Sequence, residues 1–302
     1  MKRFAILLLA ASPALLYAQT DNFDDGNDAG WTRYDPIGSH PQLPDIATFS
    51  FPNGGYRIQT SPSPAPGSVG PGRAGSLRND VTYTDFYITV DIVNWDPSLD
   101  QAFGILARCK EVGLGSTDGY AMTWDKDGSD LDITAFGNED PNTPNGHGVS
   151  VSGNDRATLV PGKSYRMVFM GVGAQLTAEI YELPNLTTPL ASITGSDTTY
   201  SSGVCGLIVY DNTSAGTGTT DATFDNYFAL SFKPPRLHIE ALPFDDMRVS
   251  WPAEPPNYVL QATTTLGTGW VDITENIEEF GGIRSFTDNA FLQERRFYRL
   301  RP

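Results

Sequence analysis

Three clusters of carboxylates stand out along this chain, and each has a chemistry that it suits. The opening run Asp21-Asn22-Phe23-Asp24-Asp25-Gly26-Asn27-Asp28-Ala29-Gly30-Trp31 concentrates acids and amides ahead of a tryptophan. Calcium takes six to eight oxygen ligands, so Asp and Asn side chains clustered with carbonyls suit it. No acidic residue occupies the twelfth position counted from Asp21, so the run is not an EF-hand loop. A second acidic stretch, Asp221-Ala222-Thr223-Phe224-Asp225-Asn226-Tyr227, lies far along the chain. If the first and last strands of a sandwich lie side by side, Asp24 and Asp225 can share one cation, calcium. Otherwise the two are a polar turn and an ordinary closing strand. The third cluster, Asp125-x-Asp127-Gly128-x-Asp130-x-Asp132, puts Asp130 and Asp132 on one face of a strand. Its Asp-Gly pair is also what a tight turn demands, so it reads as a solvated hairpin tip before it reads as a metal site.

Aromatic side chains carry the case for sugar binding, because their flat apolar faces stack on the C–H faces of pyranose rings while polar neighbours fix the hydroxyls. Trp95, Tyr120 and Trp124 are the candidates, with Arg108, Asn138 and Glu139 as hydrogen-bonding partners. Tyr120, Met122 and Trp124 share one face of a strand. Each of these aromatics also suits a core, and only an exposed pair on one face makes a platform.

Catalytic signatures are sparse. The three histidines, His40, His147 and His238, have no Cys, His or carboxylate neighbours at zinc-ligand spacing. No Gly-x-Ser-x-Gly elbow occurs. Glycoside hydrolysis needs two carboxyls roughly 5–9 Å apart. Asp130 and Asp132 meet that distance at the roughly 6.5–7 Å that separates i and i+2 on a strand, as many surface pairs do.

These residues are positioned by strands. From residue 47 to 232 the chain repeats short runs of β-branched and aromatic residues separated by Gly, Asn, Asp, Ser and Pro, and no stretch sustains a helical period. In Phe86-Tyr87-Ile88-Thr89-Val90-Asp91-Ile92 the apolar residues at 86, 88, 90 and 92 point one way, and Thr89 and Asp91 the other. Expected strands are 47–51, 56–60, 86–94, 102–109, 120–124, 131–136, 164–172, 175–182, 204–210 and 223–232. About ten strands of this kind predict an all-β fold, two antiparallel sheets stacked as a jelly-roll sandwich. Hairpins are expected at Asp125–Gly128 and Gly171–Ala174, and surface loops at 61–75 and 137–154. Lys233-Pro234-Pro235 reads as a stiff linker. It separates a domain at 19–232 from a small C-terminal β-module at 236–302, with strands expected at 237–241, 247–251, 258–263, 270–273 and 297–301.

Lys2 and Arg3, an apolar run from Phe4 to Leu16 and the small residue Ala18 have the form of a signal peptide over residues 1–18. The apolar run is too short to cross a bilayer, and no later apolar segment is long enough. The protein is therefore expected to be exported, to the periplasm, the cell surface or the medium, without a transmembrane anchor. A formal charge of −16 repels phosphate backbones, which argues against nucleic acid as a partner. Only two cysteines, Cys109 and Cys205, are present. Paired, they close a long loop that the chain-entropy model values at about 4–5 kcal/mol; unpaired, they are two buried thiols.

The stretch from DNFDDGNDAGW through FYITVDIVNW, QAFGILARC, GYAMTWDKDG, SYRMVFMGVGAQLTAEIYEL and VCGLIVYD to ATFDNYFALSF resembles a concanavalin A-like lectin/glucanase sandwich. The kind is that of the laminin-G-like or keto-glucoside-hydrolase-related domains of exported bacterial proteins. That family includes lectins, carbohydrate-binding modules, adhesion domains and glycosidases. The Glu-x-Asp-x-x-Glu strand motif of its laminarinase-type members is missing; the nearest string, Glu179-Ile180-Tyr181-Glu182, lacks the middle Asp. The C-terminal piece resembles a shortened fibronectin type III-like module in Val249-Ser250-Trp251-Pro252, Phe291-Leu292 and Phe297-Tyr298-Arg299-Leu300, and implies a spacer or docking element.

The expected function is a secreted or surface-associated protein that binds carbohydrate, with calcium stiffening the sandwich. Two rivals stand beside it. One is a glycoside-cleaving or sugar-modifying enzyme using carboxylates in the loops after Trp124 or Phe136. The other is a structural or adhesive surface protein without a sugar site, which requires Trp95, Tyr120 and Trp124 all to be buried.

Overall fold

In the computed structural model the described residues are 18–139, 149–150, 155–231, 235–243, 246–253, 258–265, 269–289 and 296–301. The expected leader at 1–18 lies outside them except for Ala18. Among the described residues, no helix is long and apolar enough to cross a membrane. The chain divides into two compact units, Met1–Phe232 and Lys233–Pro302.

The larger unit is built from two antiparallel sheets. One runs β14 (Ala191–Ser196), β13 (Gln175–Glu182), β12 (Tyr165–Val172), β6 (Phe86–Trp95), β16 (Thr220–Ser231), β4 (Tyr56–Thr60) and β3 (Ala47–Ser50). β1 (Ala18–Asp21) pairs with the far half of β16, so the first and last strands of the unit are neighbours. The other sheet runs β10 (Val149–Ser150), β9 (Asp130–Phe136), β8 (Asp118–Asp125), β7 (Gln101–Lys110), β15 (Gly203–Asp211), β5 (Arg73–Tyr83) and β2 (Thr32–Tyr34), with β11 (Asp155–Arg156) also on β9. Ile88, Val90 and Ile92 of β6 meet Phe103, Ile105, Met122, Ile133, Leu207 and Val209 of the opposite sheet in one continuous core. The Asp125–Gly128 hairpin forms, with Asp125 opposite Asp130, and so does the turn between β12 and β13.

In this unit β1, β2, β5, β10, β11 and β14 lie outside the expected runs, and β5 and β14 are the longest of them. β5 carries Arg-Ala-Gly-Ser-Leu-Arg-Asn-Asp-Val-Thr-Tyr, which shows neither apolar alternation nor high β-propensity, yet β15 and β2 hold it on either side. Its pairing partners, rather than its own composition, make it a strand. β14 is a short edge strand of Ala, Ser, Ile, Thr and Gly.

In the smaller unit β17 (His238–Ala241), β18 (Asp246–Pro252), β22 (Ile283–Asn289) and β21 (Ile277–Phe280) form one sheet, and β20 (Val271–Ile273), β19 (Val259–Thr263) and β23 (Phe297–Arg301) another. Val249, Trp251 and Leu260 are its buried centre. Phe291 and Leu292 lie outside the described residues.

The two cysteines do not form a disulfide. Val204 is the register partner of Cys109, so the two thiols stand on adjacent strands. They face opposite ways: Cys205 packs in the inter-sheet core, while Cys109 joins an apolar cluster on the outer face of its sheet. Burial pushes the Cys205 thiol up to about 12 and that of Cys109 well above its usual range, so neither is a ready nucleophile. Ellman's reagent is expected to find no reactive thiol in the native protein and two after denaturation without reductant. A count of zero in the denatured protein contradicts this assignment.

Candidate functional site

Period-two alternation decides which side chains reach the open face of the β7–β8–β9 sheet. Phe103, Ile105, Tyr120, Met122 and Trp124 turn into the core. Their neighbours Ala102, Gly104, Leu106, Ala121, Thr123 and Asp125 therefore turn outward. Register aligns these residues in rows across the strands. One row runs Asp130, Asp125, Ala102, Tyr210, Arg73. The next runs Asp132, Thr123, Gly104, Ile208, Gly75, with Tyr34 at its end. Small residues occupy the middle strands and longer ones the flanks, which makes a trough.

A cavity of about 260 Å³ fills that trough, lined by the side chains of these rows and by Leu106, Ala121, Thr134, Phe136, Glu139 and Asn212. Its floor is apolar, with Leu106 and Ile208 buried and Ala121 and Phe136 partly so. Gly104 is required there, because a Cβ would lie 1.9 Å from the Met122 carbonyl oxygen. The walls differ in kind. On one side the Arg73 guanidinium donates to both oxygens of Glu139, at 2.8 and 3.3 Å, and its Nη1 donates to the carbonyls of Val69 and Pro71. The Tyr34 hydroxyl also donates to Glu139 and lies 3.0 Å from Thr117 Oγ1. Burial, and after it the Glu139 charge, raises the Tyr34 pKa, so this phenol stays protonated. On the other side Asp125, Asp130 and Asp132 are half-buried, and Asn212 donates its amide to Asp125.

The expected sugar-binding residues are mostly elsewhere. Trp95, Tyr120 and Trp124 are 4%, 0% and 2% exposed and belong to the inter-sheet core. None has a face to offer a ligand, because the side of β8 that carries its large aromatics is the side the second sheet covers. Arg108 is also buried, at 1% exposed. A bulge in β7 and a positive φ of 51° swing its side chain to the end of the sandwich. There it donates to the carbonyls of Thr84, Tyr200 and Gly173 at 2.8–2.9 Å, with Asp85 at 3.8 Å. It clamps loops, and its burial keeps it from a sugar. Asn138 is exposed, with its backbone amide on Asp118. Of the six, Glu139 alone lines the cavity, and there it is engaged with Arg73.

Tyr34, Arg73, Thr123, Tyr210 and Asn212 were missed, while the acidic hairpin read as a solvated tip supplies three wall residues. The signal was present: once Tyr120, Met122 and Trp124 share a face, the polar face of the same strand is the accessible one.

The calcium pair can be tested directly. β1 does lie beside β16, and burial, followed by the charges of Asp91, Asp24 and Asp21, raises the Asp225 pKa. The acids are therefore near one another. Asp21 accepts from Trp31 Nε1 and the Phe23 amide, Asp24 from Asn22, and Asp225 from the Asn226 amide. Among the described residues, no three His, Cys, Asp or Glu side chains converge as metal ligands.

No protein-family model matches the sequence, and no curated protein matches it significantly. Among solved structures, the carbohydrate-binding module CBM66 from Bacillus subtilis is similar over 68% of this chain and 98% of its own, at 18% identity and a TM-score of 0.47. Lectin II from Ulex europaeus is similar over 72% and 99%, at 12% and 0.45. The Ca2+-bound exoplasmic/lumenal domain of VIP36 is similar over 71% and 90%, at 8% and 0.44. At these identities and TM-scores the likenesses bear on neither ligand nor metal.

Asp125 offers a check on the polar wall. Burial, and then the charges of Asp100 and Asp127, raise its pKa above the ordinary 3.8, although the amides of Asp127 and Gly128 pull the other way. The folded state therefore holds this proton more tightly than the unfolded one, and stability is lost as pH rises through the raised value. Asp125→Asn is expected to raise Tm slightly at pH 7 and to leave it unchanged near pH 3. A lower Tm at pH 7 contradicts the placement.

Proposed function

We propose that this protein binds carbohydrate in the trough on the open face of the β7–β8–β9 sheet. One observation carries the reading: a concave, apolar floor that includes Phe136 is flanked by Tyr210 and by polar groups from β8, β9 and the loop after β15. Sugars present both surfaces at once, C–H faces to an aromatic ring and hydroxyls to carboxylates, amides and hydroxyls. Asp132, Thr123 and Thr134 are placed for hydroxyl contacts, and the Arg73–Glu139 pair supports the opposite wall. Export to the cell surface or medium fits an extracellular glycan ligand, and the acidic surface fits a partner other than nucleic acid. No role for calcium is assigned to Asp24 and Asp225.

A second reading is favoured by the burial of Trp95, Tyr120 and Trp124, which is what a structural or adhesive protein without a sugar site requires. The two readings separate on the trough itself. In a thermal-unfolding screen against soluble glycans, with calcium or with chelator, one glycan class is expected to raise the midpoint. Tyr210→Ala and Asp132→Ala are each expected to weaken that ligand about tenfold or more, equivalent to about 1.4 kcal/mol. Tyr87→Ala, on the outer face of the opposite sheet, is expected to leave it unchanged. No shift with any glycan supports the structural reading instead.

A further inference from the structure

The charge of the trough is not balanced. Four carboxylates line it, Asp125, Asp130, Asp132 and Glu139, against the single guanidinium of Arg73. Arg73 and Glu139 satisfy each other, at 8% and 4% side-chain exposure. Asp130 pairs with Arg156, whose own side chain is 78% exposed. Among the described residues, neither Asp125 nor Asp132 has a basic side chain within 4.0 Å. Asp125 stands directly across from Asp130 at roughly 5 Å, Asp132 follows two residues on along the same face, and Asp125 and Asp132 are diagonal neighbours roughly 7–8 Å apart, within reach of one ligand group between them. Thr123 is two residues from Asp125 on β8 and directly across from Asp132 on β9.

A ligand settling over this wall displaces water from carboxylates that are already half-buried. A neutral ligand returns only hydrogen bonds. An anionic one adds repulsion, and the net charge of −16 works in the same direction. A ligand that brings an ammonium replaces the lost water with charge-assisted hydrogen bonds. An ammonium has three N–H donors, and Asp125, Asp132 and the Thr123 hydroxyl are three neighbouring acceptors, the two carboxylates keeping lone pairs beyond the bonds they accept from the Asp127 amide, Asn212 and Thr134.

We propose that the trough selects a glycan bearing free amino groups, with one ammonium held among Asp125, Asp132 and Thr123. The inference rests on the carbohydrate reading and names the sugar class for that same site.

The test is calorimetric titration of the full chain at pH 6 with three oligomers of equal length. These are an oligomer of 2-amino-2-deoxyglucose, its fully N-acetylated form and a uronic acid oligomer. The amino oligomer is expected to bind at least tenfold more tightly than the N-acetylated one, with less advantage in high salt and no measurable binding of the uronate. Asp125→Asn combined with Asp132→Asn is expected to bring the ratio of the first two within twofold. Glu278→Gln with Glu279→Gln, which removes two exposed acids from the smaller unit, is expected to preserve it.

Equal or tighter binding of the N-acetylated oligomer overturns the amino-sugar assignment while the carbohydrate reading stands. So does a preference that both double variants reduce alike, which marks general attraction to an acidic surface. Binding that a chelator abolishes assigns the carboxylates to a metal and overturns it too. If none of the three oligomers binds, and no glycan shifts the unfolding midpoint, the carbohydrate reading falls with it.

Discussion

The packing of four aromatic rings between the two sheets fixes the rest of the larger unit. Trp95 of β6 lies 6.1 Å from Phe103 of β7, 6.2 Å from Trp124 of β8 and 5.8 Å from Tyr165 of β12, centroid to centroid, and Phe103 and Trp124 are 5.2 Å apart. Side chains of this size bury about 150–250 Å² each, worth several kcal/mol apiece at about 25 cal/mol per Å². That burial sets the facing of β6, β7, β8 and β12 at once, because a one-residue slip in any of them would turn its rings into water. With the facing set, Ala102, Gly104, Ala121, Thr123 and Asp125 have no option but the open face. The trough is the reverse side of the core.

Polar groups then close what the sheets leave open. At one end of the sandwich, Arg108 collects the carbonyls of Thr84, Tyr200 and Gly173 and ties three loops together. Tyr120 donates to Asp197 and accepts from the Tyr200 amide, holding the segment that leads into β15. Across the open face, Glu139 reaches from beyond β9 to Arg73 on β5 and Tyr34 on β2. A buried pair of this kind is not itself strong evidence for stability, because desolvation offsets much of the attraction. Its consequence here is positional: it fixes one wall of the trough and spends both charges, leaving the opposite wall to set the field that a ligand meets.

Much of this was legible in the sequence. Alternation in Phe86–Ile92 marked β6 with its correct buried face, and Asp-Gly marked the β8–β9 hairpin. The reading of the site went astray where a general association, aromatics with sugars, was set against a rule already applied elsewhere. Trp124 and Tyr120 share their face with Met122, and three large apolar side chains at spacing two on a strand mark its core side. Arg108 was expected as a hydrogen-bonding partner for a ligand beside the aromatic candidates. The bulge that turns it to the end of the sandwich has no local signature. β5 was invisible because its neighbours, not its composition, make it a strand, and with it went Arg73. Asp24 and Asp225 were rightly expected to be near one another, because the strands that carry the two ends of the unit lie side by side.

The most direct test of the account is amide hydrogen exchange, followed by mass spectrometry, on the full chain with and without a saturating soluble glycan. Slower exchange confined to peptides containing Thr123–Asp132 and Tyr210–Asn212 is the predicted result. Slower exchange in β6, β12 and β13 without change in those peptides, or confined to the smaller unit, would contradict the assignment of the open face of the β7–β8–β9 sheet as the binding surface.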